Sequence, residues 1–329
     1  MVFGIFSSEQ NQLVMTTNSE IFNSDKLTRI IGEYPTDGMN SRPGPYLLAS
    51  AGIHGNEPSG ILALQRVFKK LKTNKPYLKG KLIGVSGNMA ALKRGVRLID
   101  KDLNRVCTPD YAEQLKSGEV ADFQEGSEFH DLSMIVEAIE NNKKQEDFLF
   151  MDLHTTSSKT APYISVNKKE ESFNFAKKMP LPVVKGIEKY IPGHFDHFLT
   201  LKGHTGFTME AGQHEDPQSV DYHEAAIWVV MVDNGLLDKS VIDYAYYHQL
   251  LKNSSPTQDN FEVTYRLDLK EDQEFEMEPG FENFSLVEQG QLLAKLDGKE
   301  VLAESDSRVF LPLYQKQGSD GFFIVMPAD

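Results

Sequence analysis

The sequence is poor in cysteine and in positive charge, and it lacks long apolar runs. Its 329 residues include one cysteine, Cys107, which excludes an internal disulfide and is typical of a reducing compartment. The 34 lysines and arginines are outnumbered by 48 aspartates and glutamates. The resulting net charge of −14 argues against nucleic acid or an anionic membrane as the main partner. Apolar runs such as residues 225–232 are far shorter than the ~20 residues of a bilayer span.

The composition is typical of a globular protein. The first ten residues, MVFGIFSSEQ, have neither the basic start nor the apolar length of a signal peptide, so we expect a cytoplasmic protein. Apolar residues at 40% and charged residues at 25% are ordinary values for a globular chain. At this length about two domains are expected.

Apolar periodicity predicts an α/β fold in the first part of the chain. Buried strands are indicated at 46–54, 81–88 and 147–154, and helical spacing occurs at 57–72 and 128–141. Strands that alternate with helices favour a largely parallel sheet covered on both faces.

Further elements are predicted in the same part of the chain: a strand at 29–33, turns at 36–45, strands at 161–166 and 206–212, and a helical region at 221–251.

The pattern changes after residue 252. A polar linker at 252–260 is followed by an alternating strand at 261–269, and a second hairpin signal occurs at 317–325. Asp297 and Gly298 separate two apolar runs, which is a strong hairpin signal. We therefore expect a larger domain over 1–252 and a small all-β domain over 256–329.

Histidine and acidic residues follow two of the buried strands. His54 and Glu57 come at the end of the first strand, and His154 closes the strand at 147–153. Ligands bind at the carboxyl ends of strands in open α/β sheets, and two imidazoles with one carboxylate can form an open zinc site. Zinc lowers the pKa of bound water to about 7. Asp152 could orient such a ligand or cap the backbone. A His-x-x-Glu pair is also common on polar surfaces, so the spacing alone leaves both interpretations open.

Glu210 is a candidate acid–base residue. It stands in the strand-like run GFTMEAG, where burial would raise its pKa and suit a general base, although a glutamate at a sheet edge is equally compatible.

Residues 93–105 carry five cationic and two acidic side chains, a local charge of +3. That charge is typical either of a solvated loop or of an anion site gripped by arginine forks.

Together these segments resemble the succinylglutamate desuccinylase/aspartoacylase family, relatives of the zinc carboxypeptidases. The matching motifs, in the family's order, are GIHGNE at 52–57, RLIDKDLNR at 97–105, MDLHTTSS at 151–158 and MEAG at 209–212, with LDGK at 296–299 matching the family's C-terminal β domain. The resemblance implies a zinc-carboxypeptidase-like α/β/α domain with a mixed, largely parallel sheet, followed by a small all-β domain.

The resemblance also implies a catalytic centre. His54, Glu57 and His154 would bind one zinc ion per chain. Glu210 would activate the zinc-bound water and then protonate the leaving amine, while Arg97 would polarise the scissile carbonyl. The implied enzyme is a metal-dependent amidohydrolase that cleaves the linear amide C–N bond of an N-acyl amino acid.

The implied substrate is a small anionic molecule whose carboxylate Asn104 and Arg105 would hold. Relatives that cleave N-acetylaspartate carry an arginine where this chain has Thr200. They also carry a tyrosine in the C-terminal region where this chain offers Phe322 and Phe323. N-acetylaspartate is therefore not the expected substrate, and the acyl group and amino acid stay open.

Other functions are compatible with the same sequence. A carboxypeptidase, a cell-wall peptide amidase or an esterase could use the same core, and a ligand-binding protein without activity could retain the site. Glu210 argues against the last, because binding alone needs no base. His194, His197 and His204 form a second cluster and a rival metal site, without a carboxylate in support. The sequence leaves a homo-oligomer open.

Overall fold

A computed structural model describes residues 22–23, 26–36, 40–142, 147–157, 159–270, 272–314 and 320–328. The strands are β1 Ile30–Tyr34, β2 Ser41–Ala51, β3 Leu78–Ser86, β4 Phe148–Thr156, β5 Tyr163–Val166, β6 Val183–Lys185, β7 Thr205–Gln213, β8 Asn260–Asp268, β9 Phe275–Met277, β10 Ser285–Val287, β11 Leu292–Leu296, β12 Lys299–Leu302, β13 Ser307–Phe310 and β14 Asp320–Pro327. The helices are α1 Ser59–Asn74, α2 Met89–Arg94, α3 Pro109–Lys116, α4 Gln124–Asn142, α5 Glu170–Ala176, α6 Phe195–Leu201, α7 Gln218–Asp233 and α8 Tyr244–Ser254, with 3-10 turns at Leu103–Arg105, Ile187–Lys189 and Lys239–Val241.

Eleven of the described strands form one mixed sheet in the order β1-β3-β2-β4-β7-β5-β6-β8-β14-β13-β10. The central pairs β3-β2, β2-β4 and β4-β7 are parallel, as are β5-β6 and β6-β8. The pairs β1-β3 and β7-β5 are antiparallel. The predicted α/β fold with a mixed, largely parallel sheet is confirmed.

Both faces of the central sheet are covered by helices. Along β2, Leu47 belongs to the apolar core shared with α1 and α7, whereas Leu48 belongs to the core shared with α4 and α6. The same alternation continues on β4, where Leu149 and Phe150 point into opposite cores. Successive side chains of a strand point to opposite faces, so a central strand buried on both sides reads as a continuous apolar run.

The structure corrects two details of the predicted elements. β2 begins at Ser41, so residues 41–45 lie in a strand where turn chemistry was expected, and residues 37–39 lie outside the described part of the chain. Prolines are tolerated there because the β2–β3 register is irregular between Arg42 and Tyr46. The single helical region predicted at 221–251 is two helices, since the chain turns at Gly235 with a positive φ of 71°.

The C-terminal part of the chain is built from antiparallel strands. β8, β14, β13 and β10 extend the large sheet, while β12, β11 and β9 form a separate three-stranded sheet. The hairpin predicted at Asp297 and Gly298 is confirmed: both residues have positive φ, 52° and 73°, as a tight turn between β11 and β12 requires. The second hairpin signal falls partly on residues 315–319, outside the described residues. Division into domains 1–252 and 256–329 stays a prediction.

In the described ranges, the helices fall short of the length and apolar character that a membrane crossing requires.

Candidate active site

The candidate residues gather where three neighbouring parallel strands end. His54 follows the end of β2 by three residues, His154 lies near the carboxyl end of β4, and Glu210 lies in β7. Because β2, β4 and β7 are adjacent and parallel, their carboxyl ends share one edge of the sheet. In the β4–β7 register His154 lies directly opposite Glu210.

The carboxylate of Glu57 lies between two imidazoles. Its Oε1 is 2.8 Å from His54 Nδ1, and its Oε2 is 3.0 Å from His154 Nδ1. All three side chains are buried, and one ligand atom from each can be chosen so that all lie within 4.8 Å of one another. Gly55 makes the turn between His54 and Glu57 possible, since a Cβ there would meet the carbonyl carbon of Ala91 at 2.1 Å.

Each imidazole also contacts a carboxylate of its own, through the ring nitrogen that does not face Glu57. His54 Nε2 lies 3.0 Å from Asp102 Oδ1, and His154 Nε2 lies 3.1 Å from Asp152 Oδ2. With its Nε2 proton donated to a carboxylate, each imidazole keeps Nδ1 toward Glu57, where it would bind a metal ion through its lone pair once the Nδ1 proton is displaced. Asp152 therefore orients His154, which corresponds to the first of the two roles considered for it. Asp102 was not foreseen in this role.

The charges in this cluster fit a divalent cation. Burial opposes ionisation of Glu57, but the two histidines outweigh it and hold the pKa of that carboxyl well below its usual range. Burial also opposes a charged His154, yet Asp152 and Glu57 raise the pKa of that imidazole well above its usual range. The protonated His154 therefore places a buried proton where Nδ1 of both histidines and the carboxylate of Glu57 converge. This donor set is one that zinc accepts, and metal binding would displace the proton.

Glu210 stands beside the cluster with an unsatisfied oxygen. Its Oε2 is buried and has no hydrogen-bond partner among the described residues. Burial, together with the negative charges of Glu57 and Asp152, raises the pKa of Glu210 to about 8. Buried carboxylates without partners are costly, and a strongly raised pKa in a cavity is typical of an acid–base group.

The loop that carries the arginines is tied to the cluster through Asp102. This carboxylate accepts hydrogen bonds from Arg97 Nη2 at 2.9 Å and from the backbone N–H of Asn104 at 2.9 Å. Arg97 is nearly half exposed, and its Nη1 lies 3.8 Å from Glu57 Oε1. Arg105 Nη1 lies 2.9 Å from its neighbour's carbonyl oxygen and 3.3 Å from His194 Nε2.

Asn104 is already engaged within the protein. Its Oδ1 accepts a hydrogen bond from the Phe195 amide at 3.0 Å, which docks the start of α6, and its Nδ2 lies 3.5 Å from His154 Nε2. Asn104 therefore supports the site's wall as well as facing the cavity. Its predicted contact with a substrate carboxylate stays a prediction.

Glu125 organises the same loop from α4. Its carboxylate accepts hydrogen bonds from the backbone amides of Ile99, Asp100 and Lys101, at 2.7, 3.1 and 3.0 Å, and from Asn88 Nδ2 at 3.0 Å. Those bonds hold the pKa of Glu125 below its usual range although burial opposes this. No local signal at residue 125 indicated this contact, because its partners lie more than twenty residues earlier in the chain.

One cavity of about 670 Å³ joins these groups. All seven candidate residues line it: His54, Glu57, Arg97, Asn104, Arg105, His154 and Glu210. Further lining residues that the sequence did not single out for this site include Tyr163, Asp196 and Asp320, and Phe323, which stands where relatives carry a tyrosine, lines the cavity as well. Volume and polar lining suit a small polar ligand.

The second histidine cluster does not assemble into a metal site. His194 faces the cavity beside Arg105, and burial and that arginine lower its pKa to about 3. His204 instead bonds Glu140 at 2.7 Å and packs on Phe148. Within the described ranges, His54, Glu57 and His154 are the one group of three such residues that meets the geometry of a metal site. The rival site considered for residues 194–204 is therefore not formed.

Comparison with known proteins identifies the family of the chain. Residues 43–234 match the model of the succinylglutamate desuccinylase/aspartoacylase catalytic domain. A succinylglutamate desuccinylase of Ectopseudomonas mendocina is 24% identical, with 86% of this chain and 83% of that protein covered.

Two solved structures show the same fold. The succinylglutamate desuccinylase of Chromobacterium violaceum superimposes with a TM-score of 0.64 at 18% identity, covering 93% of this chain and 96% of that one. An ectoine utilization protein of Ruegeria pomeroyi, solved with product bound, gives a TM-score of 0.60 at 19% identity and covers 87% and 86%. The matched catalytic domain spans more than half of the sequence, and the chain therefore belongs to the succinylglutamate desuccinylase/aspartoacylase family.

Proposed function

We propose that this protein is a zinc-dependent deacylase that hydrolyses the amide bond of a small anionic N-acyl amino acid. The observation that carries the proposal is the clamp of Glu57 between His54 and His154, with the unpartnered oxygen of Glu210 in the same cavity. A zinc ion held by those three side chains would act as a Lewis acid and make a water molecule acidic enough to lose a proton near neutral pH.

Glu210 moves the proton in this scheme. Its carboxylate removes a proton from the attacking water and then delivers that proton to the nitrogen of the leaving amine. Burial raises the pKa of Glu210, which favours retention of the proton on the carboxyl after the first transfer, as the second transfer needs. His154 stands opposite Glu210 in the sheet, so base and ligand keep a fixed separation.

Arg97 and Arg105 bind different negatively charged groups of the substrate in this scheme. Arg97 reaches over the ligand cluster, 3.8 Å from Glu57, and donates to the acyl oxygen as negative charge develops there. Arg105 lies along the wall with Asn104 and His194 and binds the substrate's carboxylate. A planar guanidinium orients a carboxylate as well as attracting it, which fixes the amide over the metal centre.

A substrate panel tests this proposal and names the acyl group. Acetyl and succinyl derivatives of aspartate, glutamate and neutral amino acids are incubated with the purified protein, and release of the free amino acid is measured. We expect turnover of one class that carries a free carboxylate. Turnover only of peptides or esters, with no N-acyl amino acid cleaved, would replace the proposal by one of the other hydrolase functions.

A further inference from the structure

Three neighbouring strands place three polar side chains in one row. His154 on β4 is the register partner of Glu210 on β7, and Tyr163 on β5 is the register partner of Glu210 from the other side. Register partners in a sheet point to the same face, with Cβ atoms about 5 Å apart in an antiparallel pair. Tyr163 therefore flanks Glu210 on the side away from the histidine.

The Tyr163 side chain faces the cavity and is 2% exposed. None of the hydrogen bonds among the described residues involves its hydroxyl, and the hydroxyl is not one of the fully buried polar atoms that lack a partner, so it opens onto the cavity. A hydroxyl in such a place is paired by water or by a ligand. Glu210 Oε2 has no partner among the described residues, so the two groups do not satisfy each other. A molecule that enters the cavity is the remaining partner.

The ring of Tyr163 is held firmly by the C-terminal strands. It packs edge-on against Phe310, with ring centres 5.0 Å apart, and against Phe284 at 6.2 Å. Burial, together with the charges of Glu210 and Glu57, raises the pKa of the hydroxyl well above its usual range. Tyr163 therefore stays protonated at neutral pH and presents a fixed hydrogen-bond donor.

We propose that the Tyr163 hydroxyl donates a hydrogen bond to the reacting acyl group beside Glu210, which makes Tyr163 a further catalytic residue. This inference rests on the proposed function for the identity of the substrate. The donor is held before the substrate arrives, so its bond strengthens as negative charge develops on the acyl oxygen.

The decisive variant is Tyr163→Phe, which keeps the ring and its packing and removes only the hydroxyl. We expect kcat to fall at least tenfold, with KM within twofold and bound zinc unchanged. Tyr111→Phe is the matched control, because the Tyr111 hydroxyl has no hydrogen-bond partner among the described residues and lies outside the cavity. It should retain full activity. Unchanged kcat in Tyr163→Phe, or a loss confined to KM, would overturn the inference.

A binding measurement separates this inference from the proposed function. Methylphosphonate mimics an acetyl group after attack by water, and its affinity for the zinc-treated protein can be measured by calorimetry. We expect binding about tenfold weaker in Tyr163→Phe and unchanged in Tyr111→Phe. Equal results for wild type and Tyr163→Phe, including no binding to either, would contradict the role of Tyr163. A wild type that cleaves no N-acyl amino acid, yet shows the tenfold difference, would overturn only the proposed function.

Discussion

Asp152 and His154 stand two residues apart on β4, on the same face of the strand, with Asp152 Oδ2 3.1 Å from His154 Nε2. The carboxylate is itself held by Ser50 Oγ, which donates to its other oxygen at 2.7 Å. This pair fixes the direction of the imidazole and keeps a proton on its Nε2. The imidazole is thus oriented by its own strand.

Replacing Asp152 by asparagine should weaken metal binding. The amide carries no negative charge to stabilise the imidazole that donates to it, so we expect zinc affinity to fall about 10- to 100-fold. Competition with a chromophoric chelator measures the change. Asp131→Asn is the control, because Asp131 is an exposed carboxylate remote from the cluster and should leave the affinity as it is. Equal affinities for Asp152→Asn and wild type would show that the pair does not support the ligand.

Glu210→Gln should remove activity and stabilise the metal-free protein at high pH. The pKa of Glu210 is about 8 when folded against an ordinary value of 4.5, so the folded state binds the proton more tightly. The stability that this group provides is therefore complete below about pH 4.5 and declines as the pH rises through 8. Glutamine does not titrate and escapes that decline.

Melting temperatures in the presence of chelator, at pH 5 and at pH 9, check the sign. The difference between Glu210→Gln and wild type should move in favour of the variant by a few degrees at pH 9, while the rate of amide hydrolysis falls by roughly 10² to 10⁴. A variant that stays active, or whose relative stability does not change between the two pH values, would remove Glu210 from the role of base.

Arg105→Ala should impair recognition of the substrate more than catalysis. Loss of the guanidinium removes a charge-assisted contact to the substrate's carboxylate, which corresponds to about 1.5–3 kcal/mol, so KM should rise at least tenfold with a smaller change in kcat. Lysine at position 105 should restore only part of the loss, because it lacks the planar fork. Lys101→Ala, an exposed cation on the same loop, serves as the control. Unchanged KM in Arg105→Ala would place the carboxylate elsewhere.

Glu125→Gln should loosen the loop that carries Arg97, Asp102 and Arg105. The carboxylate accepts three backbone amides and the Asn88 amide, and a glutamine can satisfy only part of that set. We expect a loss of about 1–3 kcal/mol in the free energy of unfolding and a reduced kcat/KM. The pKa of Glu125 is lowered by folding, so its contribution should be present at neutral pH and disappear as the pH falls below about 4.5. Urea unfolding at pH 7 and pH 4 measures the loss of stability and its dependence on pH. Equal destabilisation by Glu125→Gln at the two pH values would contradict the role of the ionised carboxylate.

The positions of His54, His154 and Glu210 could be predicted from the sequence because each stands at the end of an apolar run. Apolar runs of this length indicate buried strands, and parallel strands bring their carboxyl ends together. The contacts of Asp102 and Glu125 and the proposed role of Tyr163 could not be predicted in the same way. Their partners belong to segments distant in the chain, and only the sheet order and the docking of α4 bring them together. The early start of β2 was missed because Pro43 and Gly44 are ordinarily turn residues, and pairing with β3 overrides that preference.

Zinc content and its effect on amide hydrolysis test the central claim most directly. The purified protein is analysed for bound metal, and hydrolysis of its best N-acyl amino acid is measured before chelation, after chelation and after zinc is restored. The proposed site predicts about one zinc per chain, loss of activity on chelation and recovery with zinc, with His154→Ala binding no zinc. Full activity in metal-free protein, or zinc retained equally by His154→Ala, would contradict it.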